Sequence, residues 1–367
     1  MRTKVHFTEE DWERVHRDWA AWWEGELERP LVVMHDLLPP AGEPYPFGYV
    51  NTATFPLETT ADEVIDRVEP LVTSLRYFGD AFPRWLPWLG TGIMAGFLGA
   101  EVHPTPQTVW FAPSREVELS DLKITYDLDN VWWRRVRDLT ATAVRKWGSS
   151  VAIGHTDLGC NLDILASLRT TERLLMDLCD APEEVARLVG EMTTTWLRYY
   201  DEIHEIVRET GRGTNPWAPI LSAKRCYMFQ SDFSAMISPA MFERFVLPDL
   251  DACCCAVDHG FYHLDGPGQI PHLDLLLSLH RLRGIQWIPG DGAPPPEEWL
   301  PVLKRIRDGG KLCQLFVTAE GAMKIVRELG GRGFIFEVLG FMNDETARDF
   351  LAALRAADPL AGRASPR

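Results

Sequence analysis

The chain has 367 residues, 46% of them hydrophobic and 25% charged, and a formal net charge of −16. This balance is typical of a globular protein with one large domain or two of ordinary size. An acidic surface repels phosphate backbones, which excludes nucleic acid as a partner, and no apolar run reaches the ~18 residues that a membrane span needs.

The first 30 residues predict an amphipathic helix that precedes the main domain. Apolar residues recur there at spacings of three and four: Trp12, Val15, Trp19, Trp22 and Trp23. Thr8, with Asp11 nearby, predicts the N-cap. The first ten residues lack the apolar segment of a secretory signal, so we expect a cytoplasmic protein. Exposed tryptophan near this end would favour a homodimer.

Short apolar runs then alternate with helical stretches along the rest of the chain. The predicted strands are 31–36, near 78–84, 151–155, 226–230, 261–265, 284–288, 312–317 and 334–338. The last six are each followed by a predicted helix: 183–209, from 239 onward, 271–279, 297–308, 319–329 and 344–355. Residues 39–56 are rich in Pro, Gly and aromatic residues and predict a long loop, which is usually functional or mobile.

Eight apolar strands that alternate with helices predict an α/β fold, a (β/α)8 TIM barrel with an N-terminal helical extension. The expected organisation is the helical extension at 1–30, one barrel over 31–357 and a frayed tail at 358–367. A doubly wound open sheet is the alternative. It is disfavoured because no G-x-G-x-x-G follows the first strand and no P-loop occurs.

The segment from Phe261 to Gly268 carries the clearest chemical pattern. His263 and Asp265 are two residues apart, so in a strand they point to the same face, just before a Gly-Pro-Gly turn. Glu337 follows an apolar run, where a buried carboxylate needs a partner or a metal. His263, Asp265 and Glu337 therefore predict a divalent metal site for Zn²⁺, with Fe²⁺ or Mn²⁺ as alternatives. A buried histidine capped by its neighbouring Asp is the structural alternative.

Further polar residues fall at predicted carboxyl ends of strands, where barrels build their active sites. Asp157 or Asp232 is predicted to transfer a proton, although a capping or loop role explains Asp232 and Asp163 equally well. Trp287 and the N-terminal aromatic residues are predicted to form a pocket wall. The predicted substrate-binding amide and imidazole groups are those of His155, Asn161, Gln230, Gln286 and Gln314.

Three ordered features resemble the uroporphyrinogen decarboxylase superfamily. They are Gln230-x-Asp232, the block Ile237-Ser238-Pro239-x-Met241-Phe242-Glu243-x-Phe245-x-x-Pro248, and Tyr262-His263-Leu264-Asp265-Gly266. The superfamily also holds zinc-dependent methylcobalamin:coenzyme M methyltransferases and related corrinoid-protein methyltransferases. The resemblance covers roughly residues 150–357 and implies one (β/α)8 barrel with its pocket at the carboxyl ends of the strands.

The two branches of this superfamily imply different site residues. The methyltransferases hold zinc with His-x-Cys and a later Cys. Here His263 matches, Asp265 replaces the first Cys, and Glu337, or Cys313 nearby, takes the later position. This oxygen-rich set favours an oxygen-bearing substrate over coenzyme M. The decarboxylases use an Asp at the pocket floor, a role that Asp80 could fill, although a cap at the end of a strand explains Asp80 equally well. They also use an Arg segment that has no convincing equivalent in this chain.

The sequence is compatible with three functions. The first is a metal-dependent methyltransferase-like enzyme that activates a small substrate and works with a corrinoid protein, since the chain has no D-x-H-x-x-G of its own. The second is a metal-free decarboxylase, a carboxy-lyase that would place Arg169 or Arg225 in its pocket. The third is a non-catalytic barrel that binds a ligand or a partner.

Overall fold

The structure is a computed structural model that describes residues 5–37 and 50–359. Helix α1 (Glu9–Trp23) begins as predicted, with a reciprocal cap in which Thr8 Oγ1 accepts the Asp11 N–H at 3.2 Å and the Asp11 carboxylate accepts the Thr8 N–H at 2.9 Å. All four of its tryptophans are buried, at 3% exposure or less. Helix α1 therefore offers no exposed tryptophan, on which the homodimer expectation rested.

Strands and helices alternate along the chain. The strands are β1 (Leu31–Leu37), β2 (Leu75–Gly79), β3 (Arg84–Trp85), β4 (Glu101–Pro104), β5 (Val109–Ala112), β6 (Ala152–Ile153), β7 (Cys226–Gln230), β8 (His259–Asp265), β9 (Leu282–Ile288), β10 (Leu312–Val317) and β11 (Phe334–Phe341). The further helices are α2 (Ala61–Thr73), α3 (Met94–Phe97), α4 (Val131–Trp147), α5 (Asn161–Arg169), α6 (Thr171–Asp180), α7 (Pro182–Val207), α8 (Pro239–Phe245), α9 (Leu247–Ala256), α10 (Leu273–Ser278), α11 (Leu300–Asp308), α12 (Ala319–Leu329) and α13 (Asp344–Ala357).

A seven-stranded sheet organises the chain, in the order β2-β1-β11-β10-β9-β8-β7. Every neighbouring pair is parallel except β1 and β2, which are antiparallel. Strands β3 and β6 form a separate short parallel pair, and β4 and β5 form a hairpin that the sequence did not predict. The predicted α/β class, with parallel strands covered by helices, is confirmed.

The single strand predicted near 78–84 is instead two strands, β2 and β3. Gly79 separates them with a positive φ of 64°, and a Cβ there would lie 2.4 Å from the Val32 carbonyl oxygen. Only glycine allows this close left-handed turn. Of the predicted loop at 39–56, residues 38–49 lie outside the described residues, and Thr52–Thr54 forms a short 3-10 helix.

The core has two parts, one on each face of the strands. The larger part lies between the strands and the helices. The smaller part combines α1 with residues from strands far apart in the sheet, including Val33 on β1 and Met228 on β7. Since β1 and β7 contribute to one cluster, the sheet curves around it. Among the described helices, none is both long and apolar enough to cross a bilayer.

Asp249 is a buried carboxyl group on α9 whose protonation couples folding to pH. It is 5% exposed, and burial raises its pKa from 3.8 to about 6. The Thr193 hydroxyl donates to Asp249 Oδ1, which opposes this rise of the pKa in part. Because the folded state holds this proton more tightly, its contribution is complete below pH ~4 and is lost as the pH rises through about 6.

We expect Asp249→Asn to raise the free energy of unfolding at pH 8 by about 2–3 kcal/mol, with little gain near pH 4, because the amide is neutral at both values. Urea denaturation at the two pH values measures this. Asp251→Asn, an exposed change on the same helix, should show no such pH-dependent gain. An equal gain at both pH values would contradict the assignment.

Candidate metal centre

Three side chains converge at the carboxyl ends of β7 and β8. Asp232, His263 and Asp265 each place one ligand atom within 4.8 Å of the others. His263 and Asp265 share a face of β8, and Asp232 starts a 3-10 helix two residues after β7 ends. Gln230 is the register partner of His263, so the next position on that face of β7 lies beside Asp265. The parallel pairing of β7 and β8 therefore builds this cluster.

The imidazole of His263 is held with one nitrogen toward the carboxylates. Its Nδ1–H donates to Gln286 Oε1. Its Nε2 lies 3.9 Å from Asp265 Oδ2, which is too long for a hydrogen bond. Two donor atoms on one tetrahedral zinc ion are about 3.4 Å apart. The Trp217 ring packs nearly perpendicular to the imidazole, with 5.1 Å between ring centres. The arrangement can accept a cation after only a small closure.

Asp163 fixes the backbone that carries Asp232. Asp163 lies on α5, and its two carboxylate oxygens accept the backbone N–H groups of Asp232 at 3.0 Å and of Phe233 at 2.7 Å. Asp163 is thus a capping residue, one of the two roles that the sequence left open. The segment that it caps follows a different strand, 69 residues later, which no local sequence pattern could indicate.

Several carboxyl groups lie close enough here to affect one another. Burial and, to a smaller extent, the nearby charge of Asp232 raise the pKa of Asp157 to about 7, against the opposing effect of the Gly159 N–H bound at 2.9 Å. Burial also raises the pKa of Asp232, where His263 lowers it and Asp265 raises it. Asp232 is nevertheless open to solvent. This concentration of acidic groups would be relieved by a bound cation.

Gln286 and Gln314 lie buried on the same face as His263, as the sequence predicts for a site. Gln286 Nε2 donates to Gln314 Oε1. Gln230 is buried next to the cluster, and its backbone N–H donates to Cys160 Sγ at 3.4 Å. Gln286 is therefore the amide bonded to the imidazole, and Gln314 is bonded to Gln286.

Glu337 lies apart from the cluster, because β11 is three strands away from β8. Burial raises its pKa to about 7, while Arg84 lowers it. Its Oε2 is buried without a hydrogen-bond partner among the described residues. The structure groups Asp232, rather than Glu337, with His263 and Asp265.

Trp287 and Cys313 lie on the opposite face of the sheet from the candidate site. Side chains alternate along a strand, so Trp287 points away from the face that carries Gln286, as Cys313 does beside Gln314. Trp287 packs against Trp299 with 5.2 Å between ring centres. The sequence predicted Trp287 as a pocket wall and Cys313 as a ligand. In the structure the neighbouring residues, Gln286 and Gln314, take the site face of these strands instead.

His155 and Asn161 contact residues outside the cluster. The His155 ring stacks on Tyr200 of α7 at 4.4 Å, and burial keeps its pKa well below 6.5. Asn161 Nδ2 donates to the Phe245 carbonyl oxygen at 3.1 Å, and its Oδ1 accepts the Leu162 N–H. Neither side chain is brought to the cluster around His263.

Asp80 is engaged elsewhere, at the start of β1. Its carboxylate accepts two hydrogen bonds from Arg29, at 2.7 and 2.8 Å, and one from the Val32 N–H at 2.8 Å. It is 1% exposed. Of the catalytic and capping roles that the sequence left open for Asp80, these three bonds favour the capping role.

Neither arginine expected in a decarboxylase pocket joins the site. Arg169 forms a two-bond ion pair with Asp177, at 2.8 and 3.0 Å. Arg225 pairs with Asp201 and donates to the Ala256 carbonyl oxygen at 2.8 Å. Both guanidinium groups are thus occupied by structural partners.

The comparisons with known proteins support the fold. No family model matches the chain, and no curated protein sequence matches it. Solved structures do match, among them a methyltransferase from Methanosarcina mazei, with a TM-score of 0.59 and 11% sequence identity. The match covers 93% of this chain and 98% of that methyltransferase. At this identity the likeness shows a shared fold.

We expect Asp80→Asn to lower the free energy of unfolding by about 3 kcal/mol, because it leaves Arg29 without its buried partner, and to leave metal binding unchanged. Denaturant unfolding and elemental analysis measure the two effects. Asp18→Asn, which removes the other partner of Arg29, should cost less. Unchanged stability of Asp80→Asn together with a loss of bound metal would contradict the structural role.

Proposed function

We propose that this chain is a metal-dependent, methyltransferase-like enzyme whose metal site is formed by Asp232, His263 and Asp265. The observation that carries the proposal is the convergence of the three ligand atoms within 4.8 Å. It occurs at the carboxyl ends of parallel strands, on a fold shared with a methyltransferase. Asp232 takes the position that the sequence suggested for Glu337.

We also propose that the strands close into a (β/α)8 barrel. The Asp80 N–H donates to the Val32 carbonyl oxygen at 2.6 Å, which links β1 to the segment before β3. Strand β3 pairs with β6, and the His155 N–H after β6 donates to the Asn215 carbonyl oxygen at 3.0 Å. The segment around Asn215 leads into β7. These contacts support a continuous wall from β1 round to β7.

The donor set is compatible with a first-row divalent ion. One imidazole and two carboxylates suit Zn²⁺, and also Fe²⁺ or Mn²⁺, which prefer harder ligands than a thiolate. The Gln286 acceptor leaves His263 Nε2 as the free nitrogen on the side of the carboxylates. A catalytic ion keeps at least one position open for substrate or water.

The surrounding residues supply the other parts of a mechanism. A divalent ion held here would act as a Lewis acid that lowers the pKa of a substrate thiol, hydroxyl or water. Asp157, whose pKa is about 7, can hold or release a proton near neutral pH. Phe261, two residues before His263 on β8, belongs to the buried apolar cluster with Met228 and Ile335. This cluster excludes water from the side of the site that faces the interior.

The methyl group would come from, or go to, a corrinoid on a partner protein. The resemblance to corrinoid-protein methyltransferases supports this proposal, and the oxygen-rich donor set supports an oxygen-bearing substrate. A decarboxylase has less support, because Arg169 and Arg225 have other partners. The site thus favours methyl transfer over carboxylate chemistry.

We expect protein purified without added metal to contain about one equivalent of Zn, Fe or Mn. His263→Ala and Asp232→Ala should both lose it, because each removes a ligand, while Glu337→Gln should retain it. Elemental analysis of the four proteins measures this. Metal retained in His263→Ala would overturn the site. Metal lost in Glu337→Gln but kept in Asp232→Ala would favour the set containing Glu337.

Methyl transfer can be tested with free methylcobalamin and a panel of small hydroxyl and thiol acceptors. We expect the absorbance of methylcobalamin to change with the wild-type protein, and the change to be abolished by a chelator and by His263→Ala. Glu118→Gln, a change at an exposed residue that is not a member of the cluster, serves as the control. Release of CO₂ from a carboxylate substrate that a chelator does not affect would instead favour the decarboxylase.

A further inference from the structure

A chain of buried side-chain hydrogen bonds crosses three neighbouring strands. His263 on β8, Gln286 on β9 and Gln314 on β10 are register partners. His263 Nδ1–H donates to Gln286 Oε1, and Gln286 Nε2 donates to Gln314 Oε1. Both glutamines are fully buried, with 0% exposure. We call these two glutamines the amide relay.

The direction of the amide relay determines which nitrogen of His263 is free. A neutral imidazole carries one N–H, and an acceptor at Nδ1 keeps that hydrogen there, which leaves the lone pair on Nε2. Gln286 can serve as this acceptor only while its Nε2 faces Gln314 Oε1. A flip of the Gln286 amide would place N–H against N–H at one end and oxygen against oxygen at the other.

A second contact limits rotation of the imidazole itself. The Trp217 ring lies at 83° to the His263 ring, with 5.1 Å between centres. The imidazole is therefore confined by an indole on one side and oriented by an amide on the other. No charged group takes part in the amide relay, so it fixes the position of the Nδ1 hydrogen without supplying or removing a proton.

We propose that Gln286 is a positioning residue for the metal centre, with Gln314 holding the Gln286 amide in its working orientation. This inference rests on the proposed metal site. A metal-binding histidine carries its N–H on the ring nitrogen that does not bind the metal. A partner that accepts this N–H fixes the tautomer and the ring orientation, and its loss weakens metal binding. In this chain a buried amide occupies the place where a carboxylate or a backbone carbonyl usually lies.

The test is zinc affinity of the full chain, measured by competition with a chromophoric chelator. We expect Gln286→Leu to bind Zn²⁺ about 10- to 100-fold more weakly than the wild type. Gln230→Leu is the matched control. Gln230 is the register partner of His263 on the other side, on β7, and is equally buried, but Nδ1 of His263 is bonded to Gln286. Its zinc affinity should stay within a few-fold of the wild type.

Gln286→Glu separates positioning from simple packing. A carboxylate at this position still accepts the His263 Nδ1–H, and Gln314 can turn its amide to donate to the second oxygen. We expect this variant to bind Zn²⁺ at least as tightly as the wild type, which a purely structural role for Gln286 would not produce. Circular dichroism without metal checks that each variant folds.

The outcomes test the metal site and the positioning role of Gln286 separately. If the wild type binds no zinc, the proposed metal site fails. If the wild type binds zinc and Gln286→Leu binds it as tightly as Gln230→Leu, the positioning role is overturned while the metal site stands. Should Gln286→Leu not fold, Gln286→Glu decides alone, and binding more than about 10-fold weaker than the wild type would overturn the positioning role.

Discussion

The alternation of side chains along parallel strands in fixed register is the constraint on which this site depends. On β8, His263 and Asp265 lie on one face and Leu264 between them lies on the other. Because β9 pairs with β8, and β10 pairs with β9, in fixed register, Gln286 and Gln314 fall on the face of His263. The register of these paired strands therefore determines which side chains can bond to the imidazole and which pack under the helices.

The same strand pairing concentrates negative charge, and the protein compensates for this in different ways. Asp163 is bonded to two backbone N–H groups, which satisfies both its oxygens and holds Asp232 in place. Asp157 is buried and has a pKa near 7, so much of its charge is absent at neutral pH. Asp232 and Asp265 remain accessible beside His263. The charge that is neither neutralised nor bonded is thus concentrated where the imidazole nitrogen points.

Local patterns in the sequence predicted the elements well and the long-range contacts poorly. The tryptophan spacing and the Thr8–Asp11 cap gave helix α1, and the apolar run before Gly266 gave β8. Trp287 was misplaced because one residue of register reverses the face of a strand. The sequence left Asp80 open between a catalytic and a capping role, because its partner Arg29 is 51 residues away. Asp163 bonds to backbone 69 residues later, a contact that no spacing rule encodes.

The polar groups near β8 differ from those near β10 and β11 in which atoms lack a partner. On the β8 side, three ligand atoms converge with an excess of negative charge. On the β10 and β11 side, Gln314 Nε2 and Glu337 Oε2 are buried without partners among the described residues. Buried polar atoms of this kind are normally satisfied by water or by a ligand. The amide relay joins the two sides, since Gln314 is bonded through Gln286 to His263. A polar substrate held by the open donor and acceptor would therefore contact the same hydrogen-bonded unit that orients the imidazole.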